Sequence, residues 1–227
     1  MLHRILSTIA VAFICIAASA QGVCVIKGNI ADDRMSDGSK IKKLTLTRTN
    51  ELGRTIDVAT AKVKKGNYTF KYELSKDEPV LQYAVTGFGD GKAVELFVEP
   101  GEVTVSTPSV AAIEESVVAG TPTNDTYAEY KTVLAVGAGE TAALLEALEA
   151  RNGKEWMESA EGKAAINRIE AKEAIRTESK ALRFLIEHNA SPMTPLVIEN
   201  SLLPKLTTAY ADQMVKTIHL DLQNHPY

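Results

Sequence analysis

From residue 24 to residue 119 the chain is a succession of short stretches rich in β-branched and aromatic residues, separated by turn residues and lacking helical periodicity. After Gly120-Thr121-Pro122-Thr123 the pattern turns helical and stays so. That switch constrains the fold more than any motif. Parallel strands need long crossovers, usually helical, so strands in uninterrupted sequence are expected to pair as an antiparallel sandwich or open barrel. The expected strands are 24–30, 42–49, 55–63, 68–74, 80–88, 93–98, 103–106 and 113–119. Leu44 and Leu46 alternate with Thr45 and Thr47, while Tyr68, Phe70, Tyr72 and Leu74 form one apolar face. Lys64-Lys65-Gly66-Asn67 reads as a hairpin turn between two of these strands.

In the second half, Thr123 or Asn124 is placed to cap a helix carrying Tyr127, Tyr130 and Leu134, which Gly137-Ala138-Gly139 is expected to interrupt. A second helix, 141–151, carries Leu144, Leu145 and Leu148 and ends at Asn152-Gly153. A third and long one, 154–188, has an apolar stripe of Ile175, Leu182, Leu185 and Ile186. Its first half offers only Trp156, Ile166 and Ile169 among Ala, Glu and Lys, so it should pack lightly. Asn189-Ala190-Ser191-Pro192 stops it, and shorter helices at 195–203 and 208–222 follow. The expectation is an α+β fold: an N-terminal antiparallel β-sandwich or open barrel, 21–120, followed by an all-helical C-terminal region, 121–227. Tyr127, Tyr130 and Leu134 follow the last strand so closely that they should dock on the sheet.

Ahead of the first strand, Arg4, the apolar run 5–18 and Ala18-Ser19-Ala20 have the layout of a secretory signal cleaved after Ala20. The run is shorter than the ~20 residues of a membrane-spanning helix, and no other stretch is long enough. A lipoprotein anchor fits less well, because Cys15 follows Ile14 and Cys24 follows Val23. Localisation is therefore expected to be periplasmic or secreted, with no stable membrane insertion after cleavage. Roughly two hundred residues remain, ample for a sizeable core. The net charge of −4 becomes one unit more negative when Arg4 leaves. The helical part, 121–227, holds 15 acidic against 11 basic residues, and no basic block exists. Nucleic acid is not an expected partner.

Cleavage also removes Cys15, leaving Cys24 unpaired among Val23, Val25 and Ile26, where it should be a buried and inert small hydrophobe. Without Cys-x-x-Cys, thiol redox catalysis is not expected. His188, His219 and His225 lack zinc-ligand spacing and read as capping or surface residues. Asp32, Asp33 and Asp37-Gly38 lack the Asp-x-Asp-x-Asp-Gly spacing of a calcium loop and read as a hydrophilic turn. Glu95, Glu99 and Glu102 read as a solvated strand face and the Pro100-Gly101 turn; Gly87-Phe88-Gly89-Asp90-Gly91 has no helix after it and is a loop. No catalytic, cofactor-binding or metal site is assigned.

Several segments together resemble one family. Val25-Ile26-Lys27-Gly28-Asn29 is similar to its first strand, and Ile56-Asp57, Val63 and Gly66-Asn67-Tyr68-Thr69-Phe70 to its hairpin, with Tyr68 where Phe is commoner. Leu96-Phe97-Val98-Glu99-Pro100-Gly101-Glu102-Val103-Thr104-Val105 resembles its strand-turn-strand. Val118-Ala119-Gly120-Thr121 with Asn124, then Phe184-Leu185-Ile186 with Asn189 and Ser191, resemble its junction and helix end. The family is a domain of unknown function that precedes a thioredoxin-like domain in envelope thiol:disulfide interchange proteins of Gram-negative bacteria. The resemblance implies a continuation past His225-Pro226-Tyr227 into a Cys-x-x-Cys domain that this sequence does not contain, and it transfers no catalytic residue.

The expected role is an exported, non-catalytic accessory module that binds an unknown protein or envelope partner, through the sandwich edge or the groove where the helices after Asn124 meet the sheet. Two other readings stand beside it. One is the front part of a thiol:disulfide oxidoreductase whose catalytic domain is missing or separately encoded; the other is an envelope carbohydrate-binding module.

Overall fold

The computed structural model describes residues 22–50, 52–202, 208–223 and 225–226. The expected signal segment lies outside them. Eight strands come first: β1 (Val23–Asp32), β2 (Lys43–Thr49), β3 (Thr55–Lys62), β4 (Asn67–Glu73), β5 (Leu81–Thr86), β6 (Ala93–Val98), β7 (Gly101–Ser109) and β8 (Val117–Ala119). They form two four-stranded sheets ordered β4-β1-β7-β8 and β3-β2-β5-β6. The expected α+β architecture is present, with strands in the first half and helices in the second. All pairings are antiparallel except that of β1 with β7, which run parallel from Cys24 beside Gly101 to Asp32 beside Ser109.

Two local expectations are corrected by this topology. Lys65 and Gly66 do adopt the positive φ values of a tight two-residue turn, and Lys64 and Asn67 exchange both backbone hydrogen bonds. The ladder stops at that one bridge, because β3 and β4 belong to different sheets. Pro100-Gly101 likewise joins β6 to β7 across the sandwich. The expected last strand, 113–119, is a short 3-10 turn, Ile113–Glu115, followed by β8.

Alternation places the first core between the sheets. Cys24, Ile26, Tyr68, Phe70, Val103 and Val105 from one sheet meet Leu44, Leu46, Tyr83, Val85 and Leu96 from the other. Tyr68 pairs with Gly28 across β4 and β1, and its ring lies against the Gly28 backbone; a Cβ there would stand 1.9 Å from Tyr68 Cζ. The Tyr68 hydroxyl is buried without a hydrogen-bond partner among the described residues, and burial pushes its pKa up.

The helices are α1 (Pro122–Asn152), α2 (Lys154–Glu158), α3 (Ala160–Glu187), α4 (Met193–Val197), which continues into a π-helical turn at Ile198–Leu202, and α5 (Thr208–Thr217). A 3-10 turn, Leu220–Leu222, follows. The expected break at Gly137-Ala138-Gly139 is absent: α1 runs through it, the ~1 kcal/mol intrinsic cost of each glycine being outweighed by packing against α3. The expected end at Asn152-Gly153 is present, but the long helix expected over 154–188 is broken at Ser159, which leaves the helical conformation, caps α3 by accepting from the Gly162 N–H at 3.0 Å and donates to Trp156 O at 2.6 Å.

A second core joins the helices to the outer face of β6. Leu96 points into the sandwich, so Phe97 points out, against Tyr130, Ala181, Leu185, Met193, Leu196 and Ile218. Tyr127 and Tyr130 dock as expected. Leu134 does not: it is 38% exposed, one turn beyond the contact. In α3, Ile175 and Ile186 are also exposed, and the apolar side chains it buries are Ala181 and Leu185, which belong to the core shared with α4 and β6.

Candidate functional site

The site begins where α1 leaves the sheet. Thr121 is its N-cap residue but makes no side-chain capping bond, and Pro122 occupies the first turn. The residues expected to cap are used differently. Asn124 turns its carboxamide to the free edge of β6, accepting from Phe97 N and donating to Phe97 O, both at 2.8 Å, with a further bond to Thr121 Oγ1 at 2.8 Å. Thr123 donates its N–H and its hydroxyl to the Glu99 carboxylate, each at 2.8 Å. Glu99 is therefore a buried anchor for the helix N-terminus rather than part of a solvated face, a favourable place for a carboxylate. Asp125 accepts from Gly120 N at 2.8 Å.

Above these anchors an aromatic row, Phe97, Tyr127, Tyr130, Phe184 and His188, fills the junction. Phe97 and Tyr127 meet edge-on at 5.4 Å between centroids, and His188 stacks on Phe184 at 4.2 Å. The expected groove between helix and sheet is thus occupied by side chains.

The open groove lies farther out, between α1 and α3. At 1.5 Å per residue these helices extend about 46 and 42 Å, well past the second core. Beyond Tyr130, the buried positions of α1 and α3 up to Ala181 are Gly137, Gly162 and Glu173, and α2 has none. Leu134, Ala138, Ala142 and Leu145 of α1 and Ala174 and Thr177 of α3 line a cleft of about 540 Å³. Val136, Leu144 and Ile175 are exposed on the same hairpin. Two contacts set the separation of its walls. Gly137 lets Thr177 approach so closely that a Cβ would stand 2.2 Å from Thr177 Oγ1. One turn on, Glu140 binds Lys180 Nζ at 3.0 Å and Arg176 Nη2, while Arg176 Nε lies 2.8 Å from Glu173. The Lys180 hydrogen bond, reinforced by Arg176, holds the Glu140 carboxyl below its usual range.

The residues singled out in the sequence do not converge on this cleft. Cys24 is buried in the sandwich, and burial pushes its thiol up to about 11. Asp37 accepts from the Ser39 hydroxyl and N–H, at 2.6 and 2.9 Å, and is held low chiefly by the hydroxyl; Asp33 pairs with Lys40 at 3.1 Å. Glu95 accepts from Gln82 at 3.1 Å, and Glu102 pairs with Lys27 at 2.6 Å. His219 caps the 3-10 turn through Asp221 N. His225 bonds Val80 O at 3.0 Å, and burial lowers its pKa. Among the described residues no three His, Cys, Asp or Glu side chains cluster as metal ligands would, and no helix is long and apolar enough to cross a membrane.

Leu134, Ala138, Thr141 and Leu145 stand at helical spacing, so the α1 side of the cleft was present in the sequence. The expected interruption at Gly137 divided the stripe and hid it.

No curated protein and no solved structure matches the chain. The resembling helix-end segment, 184–191, lies outside the part that a family model covers. Residues 24–127, the whole sandwich together with Asn124 and the first turn of α1, match the domain of unknown function DUF4369.

Proposed function

We propose that this protein is an exported, non-catalytic accessory module that holds a partner on its helical hairpin, the α1–α3 cleft receiving an amphipathic helix of that partner. The observation that carries the reading is the unfinished packing of the hairpin. Helices of this length are stabilised in water by burying an apolar face. Here Leu134, Leu144 and Ile175 remain exposed, and no large apolar side chain of α1 or α3 is buried between Tyr130 and Ala181. A floor of Ala, Gly and Thr between two near-neighbour helices suits the bulky i, i+3, i+4, i+7 residues of a third. The acidic excess of the helical part favours a basic polar face on the incoming helix. The burial of Cys24 and its raised pKa support a role without thiol chemistry in this chain.

Site-specific photocrosslinking in cells tests this. A crosslinker at Ala142 should give one discrete adduct whose partner residues fall at helical spacing, while one at Lys71 on the sandwich gives none. A thioredoxin-like envelope protein is the first species to look for. Equal adducts from both positions, or adducts mapping only to a second copy of this chain, would overturn the proposal.

A further inference from the structure

The tip of the helical hairpin carries the one Asn-Gly pair of the sequence, Asn152-Gly153. Asparagine is thermolabile, and it is most reactive before glycine, where no Cβ crowds the backbone nitrogen that attacks its carboxamide. Here both reacting groups are engaged. The Gly153 N–H donates to Glu149 O at 2.7 Å, and Asn152 Nδ2 donates to Leu148 O at 3.0 Å. These bonds close the last turn of α1 and draw the carboxamide toward the preceding turn, so an intact turn holds the reaction off.

Little else secures that turn. Residues 150–155 are all exposed, and α2, which Gly153 joins to α1, buries no residue. A helix end with exposed hydrogen bonds and few buried contacts opens readily. Once it is open, the Gly153 nitrogen can reach Asn152 Cγ. The N–Cγ bond forms, the Cγ–Nδ2 bond breaks, and the carboxamide nitrogen leaves as ammonia with the Gly153 proton. Water then opens the cyclic imide at either carbonyl, giving aspartate or isoaspartate. Neither product can close the turn as before. An ionised carboxylate has no proton to donate to Leu148 O, and it adds negative charge at the end of α1, where the carbonyls already carry partial negative charge. Isoaspartate also lengthens the backbone by one carbon between the two helices.

We propose that Asn152 is a site of spontaneous deamidation, gated by opening of the last turn of α1, and that its conversion irreversibly loosens the hairpin tip.

The test incubates the purified protein and, separately, a peptide of residues 148–157 in the same mildly alkaline buffer, following conversion of amide to acid by peptide mass spectrometry. Asn152 should convert before every other asparagine of the protein, yet about tenfold or more slowly than in the peptide. Amide hydrogen exchange over residues 149–157 should be several-fold faster in Asn152→Asp and in aged wild type than in fresh protein, with the strands unchanged. Aged Asn152→Gln, whose longer side chain cyclises far more slowly, should match its fresh form. Another asparagine converting first, or no conversion at Asn152 many peptide half-lives on, would overturn the site. Equal rates in protein and peptide would overturn the gate, and unchanged exchange in Asn152→Asp would overturn the loosening.

Discussion

The side chain of Asn124 stands in for a neighbouring strand beside Phe97. Its Oδ1 accepts from Phe97 N and its Nδ2 donates to Phe97 O, both at 2.8 Å, so the two outward backbone groups at this point of the β6 edge are satisfied by the first turn of α1. An open edge is a template for unwanted pairing. Here it is closed, and the same contact fixes where the helix leaves the sandwich.

Asn124→Ala removes both bonds and leaves two buried backbone groups unpaired. With each orphaned group costing ~1–3 kcal/mol, the variant should lose about 2–6 kcal/mol of stability. Loss seen equally by a β-region probe and by helical circular dichroism is the expected result in thermal unfolding. Loss confined to the helical signal would show that the junction does not couple the two regions.

Tyr130→Ala tests the same coupling through packing. Tyr130 is 5% exposed and shares a core with Phe97, so truncation should cost about 3–5 kcal/mol and lower both transitions. Glu170→Ala, on the exposed rim of the cleft, should leave the melting temperature within a degree or so.

Tyr68→Phe should stabilise the protein or leave it unchanged, by about 0–1 kcal/mol. The hydroxyl it removes is buried and unpaired among the described residues, while the ring that covers Gly28 stays. Measured loss of more than 1 kcal/mol in denaturant unfolding would mean that the hydroxyl has a partner in solution.

Cys24 makes an alkaline prediction. Its thiol rises from 9.0 to about 11 on folding, chiefly through burial. The folded state then holds its proton where the unfolded state has released it. The stability this represents is fully present below pH 9 and is lost as pH rises toward 11, by about 2–3 kcal/mol. The slope of stability against pH over that window should be shallower in Cys24→Ala than in wild type, whatever the variant's absolute stability. Identical slopes would show that the thiol titrates as if exposed.

How far the sequence foretold this molecule depends on the range of the interaction concerned. Period-two alternation is local, so the strand faces of Tyr68, Phe70 and Leu74 and the outward position of Phe97 beside Leu96 follow from it. The Ser159 cap was legible too, since Ser159 and Gly162 stand three apart, but the long Ala- and Glu-rich pattern around them masked it. Partner choice was not legible. Nothing within β3 or β4 announces that the tight turn between them crosses from one sheet to the other, because that is settled by the strands they pair with, β2 for β3 and β1 for β4. Glu99 misled for the same reason: a glutamate beside Pro-Gly is normally solvated, and only the arrival of Thr123, 24 residues later, makes its burial favourable. The cleft was hidden by reading Gly137 as a helix breaker, when its lack of a side chain serves the neighbouring helix.

That last point yields a test in which propensity and packing predict opposite signs. Replacing a helical glycine by alanine stabilises by ~1 kcal/mol where nothing opposes it. Gly139 has nothing within 4 Å of its would-be Cβ, so Gly139→Ala should show that gain. At Gly137 the same Cβ would stand 2.2 Å from Thr177 Oγ1, 2.6 Å from its Cγ2 and 2.9 Å from its Cβ. Thr177 is β-branched and stiff in a helix, so rotating about χ1 cannot clear both branches. The helices must separate, and the Glu140 bridge to Arg176 and Lys180 must stretch with them. Gly137→Ala should therefore destabilise by about 1–3 kcal/mol despite its better propensity. Adding Thr177→Ala, which removes the two nearest atoms, should restore most of the loss. Denaturant unfolding of the four variants, followed by helical circular dichroism, reads the signs directly. If Gly137→Ala gains as much as Gly139→Ala, α1 and α3 do not touch at Thr177, and the cleft they define has different walls.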